Sequence, residues 1–379
     1  MRRADVYGGG SLDAARRVLR QRFGHPRFRV HQLKVLGPLL CGRNVLAVLP
    51  TGAGKSLCYQ VPALMGAGLT VVVSPLISLM QDQVGGLRRR GIAAAYVNSQ
   101  LDTHQRRVVL DAATSGQVSL LYCAPERLPS LTGRLCAAQT RLALLAIDEA
   151  HCITEWGSEF RPLYRRIGVY RARLGHPTTI ALTGSATPAT RADILRVLRM
   201  PDAAVIVTSF DRPNLAFATR PIRDDRERFA VIRQRVKDGS GASLIYTPTR
   251  RLTELVTRAL LRTSIRAAPY HAGLSAGVRR GVLRAFLADR IHVIVATSAF
   301  GMGIDKPDVR QVLHWGPPPT LEAYYQEAGR AGRDGGLADC LILWRPQDFA
   351  WGNIDPVMKD YVESRTNHRQ LILEYFGEP

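Results

Sequence analysis

Three short clusters, far apart along the chain, carry residues suited to moving a phosphoryl group. The first is "VLPTGAGKSLCYQ" (48–60), which approaches the phosphate-binding pattern G-x-x-x-x-G-K-[ST]. Counting back from Gly54-Lys55-Ser56 puts Leu49 where the first glycine of that pattern belongs. Thr51, Gly52 and Gly54 form a turn whose backbone can approach phosphates closely, Lys55 can reach the β- and γ-phosphates, and Ser56 can ligate Mg²⁺. The second cluster is Asp148-Glu149, at the end of the apolar run "LALLAIDEAH". A carboxylate there can hold the same metal, and its neighbour can orient or deprotonate an attacking water. The third is "YYQEAGRAGRDG" (324–335), with Gln326, Arg330 and Arg333. On a helix, the two arginines would share a face and could stabilise charge on a phosphate in flight.

These residues need strands and turns to hold them. "NVLAVL" (44–49), "LTVVVS" (69–74), "SLLYCA" (119–124), "LALLAID" (142–148) and "TTIALTG" (178–184) are continuously apolar, as parallel strands covered on both faces are. Stretches such as "ISLMQDQVGGLRRR", "THQRRVVLDAAT" and "KSLCYQVPALM" read as the helices between them. Strand before and helix after is the setting a phosphate loop requires, with the helix N-terminus aimed at the anion. The rhythm breaks at "SFDRPNLAFATRPIRDDRER" (209–228), a polar stretch read as a junction, and restarts with "SLIYTP" (243–248), "RAAPYH" (266–271), "HVIVAT" (292–297), "RQVLHW" (310–315) and "DCLILW" (339–344). The expected architecture is α/β: two tandem parallel-sheet domains, 1–208 and 209–350, with nucleotide in the cleft between them and a short helical tail, 351–379.

Composition points to the partner. The 379 residues carry 52 basic and 31 acidic groups, a net charge of +21, with only five lysines among the bases. Such an excess favours a polyanion, most simply nucleic acid. No apolar run is long enough to cross a membrane as a helix, and the N-terminal stretch has no apolar core of a secretion signal, so a cytoplasmic, nucleoid-associated protein is expected. The six cysteines are scattered without a C-x-x-C and read as buried, reduced thiols rather than zinc ligands.

Taken in order, these motifs resemble the RecQ family of superfamily 2 helicases over nearly the whole chain. "FGHPRFRVHQ" (23–32) resembles that family's motif 0, "LPTGAGKSLCYQ" motif I, "VVSPLISLMQDQV" motif Ia, "IDEAHCITEWGSEFRP" motif II with an aromatic-rich loop, and "ALTGSATP" motif III. "IYTPTR", "VIVATSAFGMGIDKPDVR" and "YYQEAGRAGRDG" resemble motifs IV, V and VI. The resemblance implies that Arg29 and Gln32 read the adenine with His25 stacked on it, and that Gly303 and Asp305 contact ATP and the nucleic-acid backbone. It implies that His151 links the carboxylate strand to motif III through Thr183 and Ser185, and to motif VI. Trp156, Phe160 and Arg161 would couple DNA contact to hydrolysis, with Ser158 standing where the family commonly has His. It also implies RecA-like folds for both domains, ATP and Mg²⁺ as ligands, 3′→5′ DNA unwinding in repair or recombination, and single-stranded or tailed duplex DNA as partner, with a monomer compatible with all of this. The family's first zinc cysteine would fall near Asn367, so no zinc is expected. The tail then reads as a remnant of the start of the zinc-binding region in a naturally short member, whose ATPase is strongly stimulated by single strands and whose unwinding is modest. Two other readings stay open at this point: a superfamily 2 RNA helicase, suggested by the letters DEAH, and a basic single-strand-binding or annealing protein with a vestigial nucleotide site.

Overall fold

The computed structural model describes residues 12–50, 52–66, 68–155, 163–301, 306–350 and 353–378. The chain divides into two compact units, Met1–Ser209 and Phe210–Pro379. Each is built on one parallel sheet.

In the first unit the strands are β1 (Val45–Val48), β2 (Leu69–Val73), β3 (Ala94–Val97), β4 (Leu120–Cys123), β5 (Leu142–Ile147), β6 (Thr179–Thr183) and β7 (Ala204–Val207). They lie in the order β3-β4-β2-β5-β6-β1-β7. The consequence is that β5, β6 and β1 are neighbours although long stretches of sequence separate them, with Val48 opposite Thr183 and Ile147 opposite Ala181. Their carboxyl ends therefore line up along one edge of the sheet, where ligands of open α/β sheets bind. The apolar continuity of these strands has its expected cause: every residue of β1, β2, β4 and β6 is buried, because helices cover both faces. A separate apolar cluster of Ala15, Leu19, Phe28, Leu36, Leu40 and Val61 packs the N-terminal helices, including Val30–Leu40, onto the helix that follows the phosphate loop, Leu57–Ala63.

The second unit contains β8 (Leu215–Pro221), β9 (Ala242–Tyr246), β10 (Ala267–Tyr270), β11 (Val293–Ala296), β12 (Val309–His314) and β13 (Ala338–Trp344), in the order β10-β11-β9-β12-β13-β8. β8 corrects the reading of 209–228 as a junction. That stretch supplies an edge strand paired along its whole length with β13. It reads as polar because, at the edge, most of its side chains face solvent and only Leu215 is buried. β3 and β7, both edge strands of the first sheet, likewise had no distinct signal in the sequence. Helices Pro356–Glu363 and His368–Tyr375 pack into this unit through Met358, Tyr361, Val362, Ile372 and Phe376, all buried. Asn367 serves as the N-cap of the last helix, its side-chain oxygen accepting from the Arg369 N–H at 3.1 Å.

All six cysteines are free thiols, but only Cys58, Cys123, Cys152 and Cys340 are buried; Cys41 and Cys136 are exposed, which corrects the expectation for those two. Cys41 follows the helix Val30–Leu40 and Cys136 lies one residue from the end of the helix Leu128–Ala137, positions where a helix meets solvent.

The deepest charge in the second unit is Arg228, with a fully buried side chain, paired with the equally sequestered Asp348 and lying 5.4 Å from the centre of the Trp315 ring. Losing Asp348 would leave the buried guanidinium with only the half-exposed Asp225, 3.3 Å away; truncating one partner of a buried pair costs about 3–5 kcal/mol, whereas replacing both by apolar groups of similar size is often neutral. Asp348→Ala is therefore expected to lower the stability of this unit by about 3–5 kcal/mol, and Arg228→Met combined with Asp348→Leu to recover most of the loss. Urea unfolding followed by tryptophan fluorescence measures both.

Candidate active site

The phosphate loop leaves β1 at Leu49, and Leu49 explains why glycine is not needed there. It is fully buried, its N–H donates to the Thr183 carbonyl at 3.0 Å, and it lies outside the positive-φ region. Leu49 thus extends the strand, and the tight path begins later, at Gly52 (φ 81°) and Gly54 (φ 75°). A Cβ on Gly54 would also come within 2.6 Å of Gln32 Nε2. Lys55 Nζ donates to the Leu49 carbonyl at 3.3 Å, folding back over the loop, and Ser56 forms the N-cap of Leu57–Ala63 with helical backbone angles. Thr51 lies outside the described residues.

The N-terminal helix Val30–Leu40 braces this loop. Arg29 Nη1 donates to the Gly52 carbonyl at 2.7 Å. Gln32, buried, accepts the Arg29 N–H on Oε1 at 2.9 Å and donates from Nε2 to the carbonyls of Ala53 (3.2 Å) and Gly54 (3.1 Å). His31, which the sequence did not single out, places Nε2 2.8 Å from the Ala53 carbonyl. The only signal for it was its position beside Gln32. His25 is exposed on the loop before this helix.

Asp148 emerges from β5 with its N–H donated to the Val73 carbonyl at 2.9 Å, and it is buried. Its carboxyl is pushed up from 3.8 to about 7, first by burial and second by the charge of Glu149, with Lys55 opposing both. Glu149 sits at φ 49°, left-handed backbone that non-glycine residues adopt mainly where surrounding structure enforces it. Here the enforcement is visible: Ala150 N–H is tied to the Leu182 carbonyl at 2.8 Å. His151 Nδ1 lies 2.8 Å from Thr183 Oγ1 and 3.4 Å from Glu149 Oε2. Since the Thr183 hydroxyl donates to the Ser185 carbonyl at 3.0 Å, its oxygen is the acceptor, and the hydrogen bonding places the imidazole proton on Nδ1. His151, Thr183, Ser185 and Glu149 are thus one buried network joining the ends of β5 and β6. Trp156, Ser158, Phe160 and Arg161 lie outside the described residues.

Among the described residues no cluster of His, Cys, Asp and Glu has the form of a complete metal cage. The donor set nevertheless fits Mg²⁺: a hydroxyl from Ser56 and a buried carboxylate from Asp148, hard oxygens that a cation completing its shell with water and phosphate prefers. The raised Asp148 pKa says the same in energetic terms, since Lys55 alone does not compensate the pair of acids.

In the second unit, Gln326 lies on the helix Leu321–Ala328, but that helix ends before the arginines. Arg330 and Arg333 therefore do not share a helix face, a correction to the sequence reading. The chain turns at Gly329 and Gly332, the latter with φ 54° and its N–H donated to the Val309 carbonyl at 2.9 Å. Arg330 is buried. It hydrogen-bonds the hydroxyl of Tyr246, which itself donates to the Phe300 carbonyl at 2.7 Å. Its Nε and Nη1 have no hydrogen-bond partner among the described residues. A buried guanidinium with donors to spare is matched to an anion. Tyr246 stacks on His314 at 5.2 Å, and His314 Nε2 lies 2.9 Å from Glu327 Oε2, so strands β9 and β12 seat the helix that leads into the arginine loop. Gly303 and Asp305 lie outside the described residues.

Comparison with known proteins now bears on this arrangement. The DEAD/DEAH box helicase family matches residues 29–194, and the helicase conserved C-terminal domain matches 227–335. The "Probable ATP-dependent DNA helicase RecS" of Bacillus subtilis is 42% identical over 334 residues, 88% of this chain and 67% of that protein. The "ATP-dependent DNA helicase RecQ" of the same organism is 43% identical over 387 residues, 97% of this chain and 65% of that protein. The chain belongs to the RecQ helicase family. The RecQ helicase of Haemophilus influenzae is 39% identical over 380 residues, 95% of this chain and 61% of its own length. The chain thus spans about three fifths of the length of such RecQ relatives. Among solved structures, Mycobacterium smegmatis Lhr bound to single-stranded DNA and AMP-PNP matches with a TM-score of 0.70 at 22% identity, over 95% of this chain and 50% of that one. Saccharomyces cerevisiae Dbp5 bound to RNA and ADP BeF3 matches with 0.71 at 15% identity, over 97% and 94%. These likenesses establish the fold as the tandem RecA-like fold of helicases.

The RecQ carboxylate pair gives a pH-dependent test. A carboxyl raised from 3.8 to about 7 binds more protons folded than unfolded, so it removes stability as pH climbs between those values. Asp148→Asn, without nucleotide or divalent metal, should therefore melt a few degrees above the parent at pH 8, with the gain shrinking toward pH 5. Thermal melts across that range check the sign.

Proposed function

We propose that this RecQ-family chain is an ATP-dependent DNA translocase and helicase of 3′→5′ polarity, in which DNA-stimulated ATP hydrolysis drives strand separation during repair or recombination. The observation that carries the reading is the buried Asp148 beside the partly buried Glu149, at the strand end next but one to the phosphate loop, with Glu149 held by His151 and Thr183. A vestigial site in a passive DNA-binding protein gains nothing from keeping an uncompensated acid buried.

In this reading Gly52, Gly54 and the helix N-terminus at Ser56 receive the phosphates, with Thr51 in the same loop, and Lys55 leaves the Leu49 carbonyl to meet the β- and γ-oxygens. Ser56 and Asp148 hold Mg²⁺, which when bound neutralises charge on those oxygens. Glu149 orients the attacking water and takes its proton, and His151 keeps Glu149 in place. Gln326, Arg330 and Arg333 of the second unit stabilise the charge that develops on the transferred phosphoryl group. Arg29 and Gln32 recognise the base, with His25 stacking on it, and their hydrogen bonds to Gly52, Ala53 and Gly54 transmit that recognition to the loop. Gly303 and Asp305 contact ATP and the nucleic-acid backbone. Trp156, Phe160 and Arg161 carry the DNA contact to the site, with Thr183 and Ser185 relaying it, and the +21 charge holds the strand. The same reading puts the protein in the cytoplasm, at the nucleoid, and is compatible with a monomer.

Strand displacement on duplexes with a 3′ tail, a 5′ tail or no tail, each as DNA and as RNA, tests this directly. Unwinding is expected with ATP only for DNA bearing a 3′ tail; a preference for RNA or for the 5′ tail would overturn the assignment. Lys55→Ala should abolish displacement while leaving filter-bound single-stranded DNA within a few-fold of the parent. Arg330→Ala should depress ATP turnover by about 10³-fold or more, the range of such arginines, with ATP affinity nearly unchanged in a nucleotide titration.

A further inference from the structure

The polar segment after residue 209 contains a charged group that the proposed chemistry does not use. Arg212, half-buried just before β8, extends its guanidinium into the loop that carries Arg330 and Arg333. Nη2 donates to the carbonyls of Ala331 (2.9 Å) and Gly332 (3.1 Å), and Nη1 to that of Gly329 (3.5 Å). Asn214 Nδ2 donates to the carbonyls of Gly332 and Gly336, both at 2.9 Å. The loop begins where the helix Leu321–Ala328 stops, so its carbonyls have no helical donors. The negative end of the helix dipole favours a cation there as well. The fit is close: a Cβ on Gly332 would come within 2.4 Å of Asn214 Nδ2.

Arg212 is anchored from behind. Asp211 accepts from Arg369 Nε at 2.5 Å and pairs with its Nη2, which ties this segment to the helix His368–Tyr375. Phe210 lies flat on Phe376, with ring centres 4.2 Å apart and planes 7° from parallel, and its N–H donates to Glu378 Oε1 at 2.9 Å. Tyr325, on the helix leading into the arginine loop, donates its hydroxyl to the Phe210 carbonyl at 2.8 Å. Side chains that only filled space would not need two anchors and five donated hydrogen bonds, three from Arg212 and two from Asn214, all directed at one loop.

We infer that Arg212 is a positioning residue for hydrolysis: with Asn214, and braced by the C-terminal helix through Asp211–Arg369, it fixes the loop that aims Arg330 and Arg333 at the transferred phosphate. This rests on the role given to those arginines above. Without these bonds, a loop with four glycines between residues 329 and 336 would hold Arg330 less firmly, and misplacement of about 1 Å can cost 10²-fold in rate.

The test compares Arg212→Ala, Arg212→Lys, Arg330→Ala and the double variant Arg212→Ala/Arg330→Ala in the full chain, with saturating single-stranded DNA. Arg212→Ala is expected to lower kcat by about 10- to 100-fold with KM for ATP within twofold (about the precision of the assay), and to speed amide exchange across residues 329–336 while the sheet strands stay protected. Arg212→Lys, which keeps the cation but loses the fork, should recover part of kcat. The double variant should lose less than the product of the two single losses, because part of the effect of Arg212 runs through Arg330. If Arg330→Ala cripples turnover while Arg212→Ala leaves kcat intact, the positioning inference fails and the proposed function stands. If both leave kcat intact, the role of Arg330 fails and the inference falls with it. Additive losses in the double variant, or unchanged loop exchange in Arg212→Ala, would show that Arg212 acts elsewhere and overturn the inference.

Discussion

The parallel alignment of β1, β6 and β5 is the constraint on which the first unit depends. Because β6 lies between the other two, the Thr183 carbonyl ends the phosphate-loop strand by receiving the Leu49 N–H, and the Thr183 hydroxyl receives His151 from the carboxylate strand. One residue of the middle strand thus sets both the start of the phosphate loop and the placement of Glu149. A shift of either neighbour by one position would turn these contacts to the other face of the sheet. The burial of Asp148, its raised pKa and the left-handed backbone at Glu149 follow from forcing two acids into that alignment. Folding meets these costs from a core in which whole strands are buried, and Lys55 compensates the acids only in part.

Much of this was legible in the residues. Parallel strands covered on both faces leave continuous apolar runs, so ten of the strands could be placed from their letters. Lys55, Ser56, Asp148 and Glu149 were recognisable because each follows such a run. Three of the four edge strands, β3, β7 and β8, were not legible: β8 has one buried residue in seven, and its pairing with β13 is a property of the folded sheet. The helix end before Arg330 was missed for a related reason. Its local signals, Gly329 and Gly332, are weak, and the groups that stabilise the non-helical loop come from Arg212 and Asn214, more than 115 positions earlier. The bracing of the phosphate loop by His31 and Gln32 is equally non-local, set by the packing of Phe28, Leu36 and Val61 in one cluster.

The two units weight the same means differently. In the first, strand register and backbone hydrogen bonds align the strand ends, and the side chains of Arg29, Gln32, His151 and Thr183 brace the loops that follow. In the second, side chains carry more of the placement: Tyr246 on Arg330, His314 on Glu327 and Arg212 on the loop carbonyls. Side-chain struts can be released more cheaply than a sheet can be re-registered. That would suit the proposed role, in which the charge of the loop meets a phosphate during only part of a cycle, and it links the C-terminal helix to the loop through Arg369, Asp211 and the adjacent Arg212.

The central claim is that the acid pair, the phosphate loop and a DNA-binding surface act as one device. The most direct measurement is the steady-state ATP hydrolysis rate with Mg²⁺, with and without a single-stranded DNA oligonucleotide. The account predicts slow turnover alone and a many-fold rise with DNA, and Glu149→Gln should eliminate both. Equal rates with and without DNA, or DNA-stimulated turnover that survives Glu149→Gln, would contradict it.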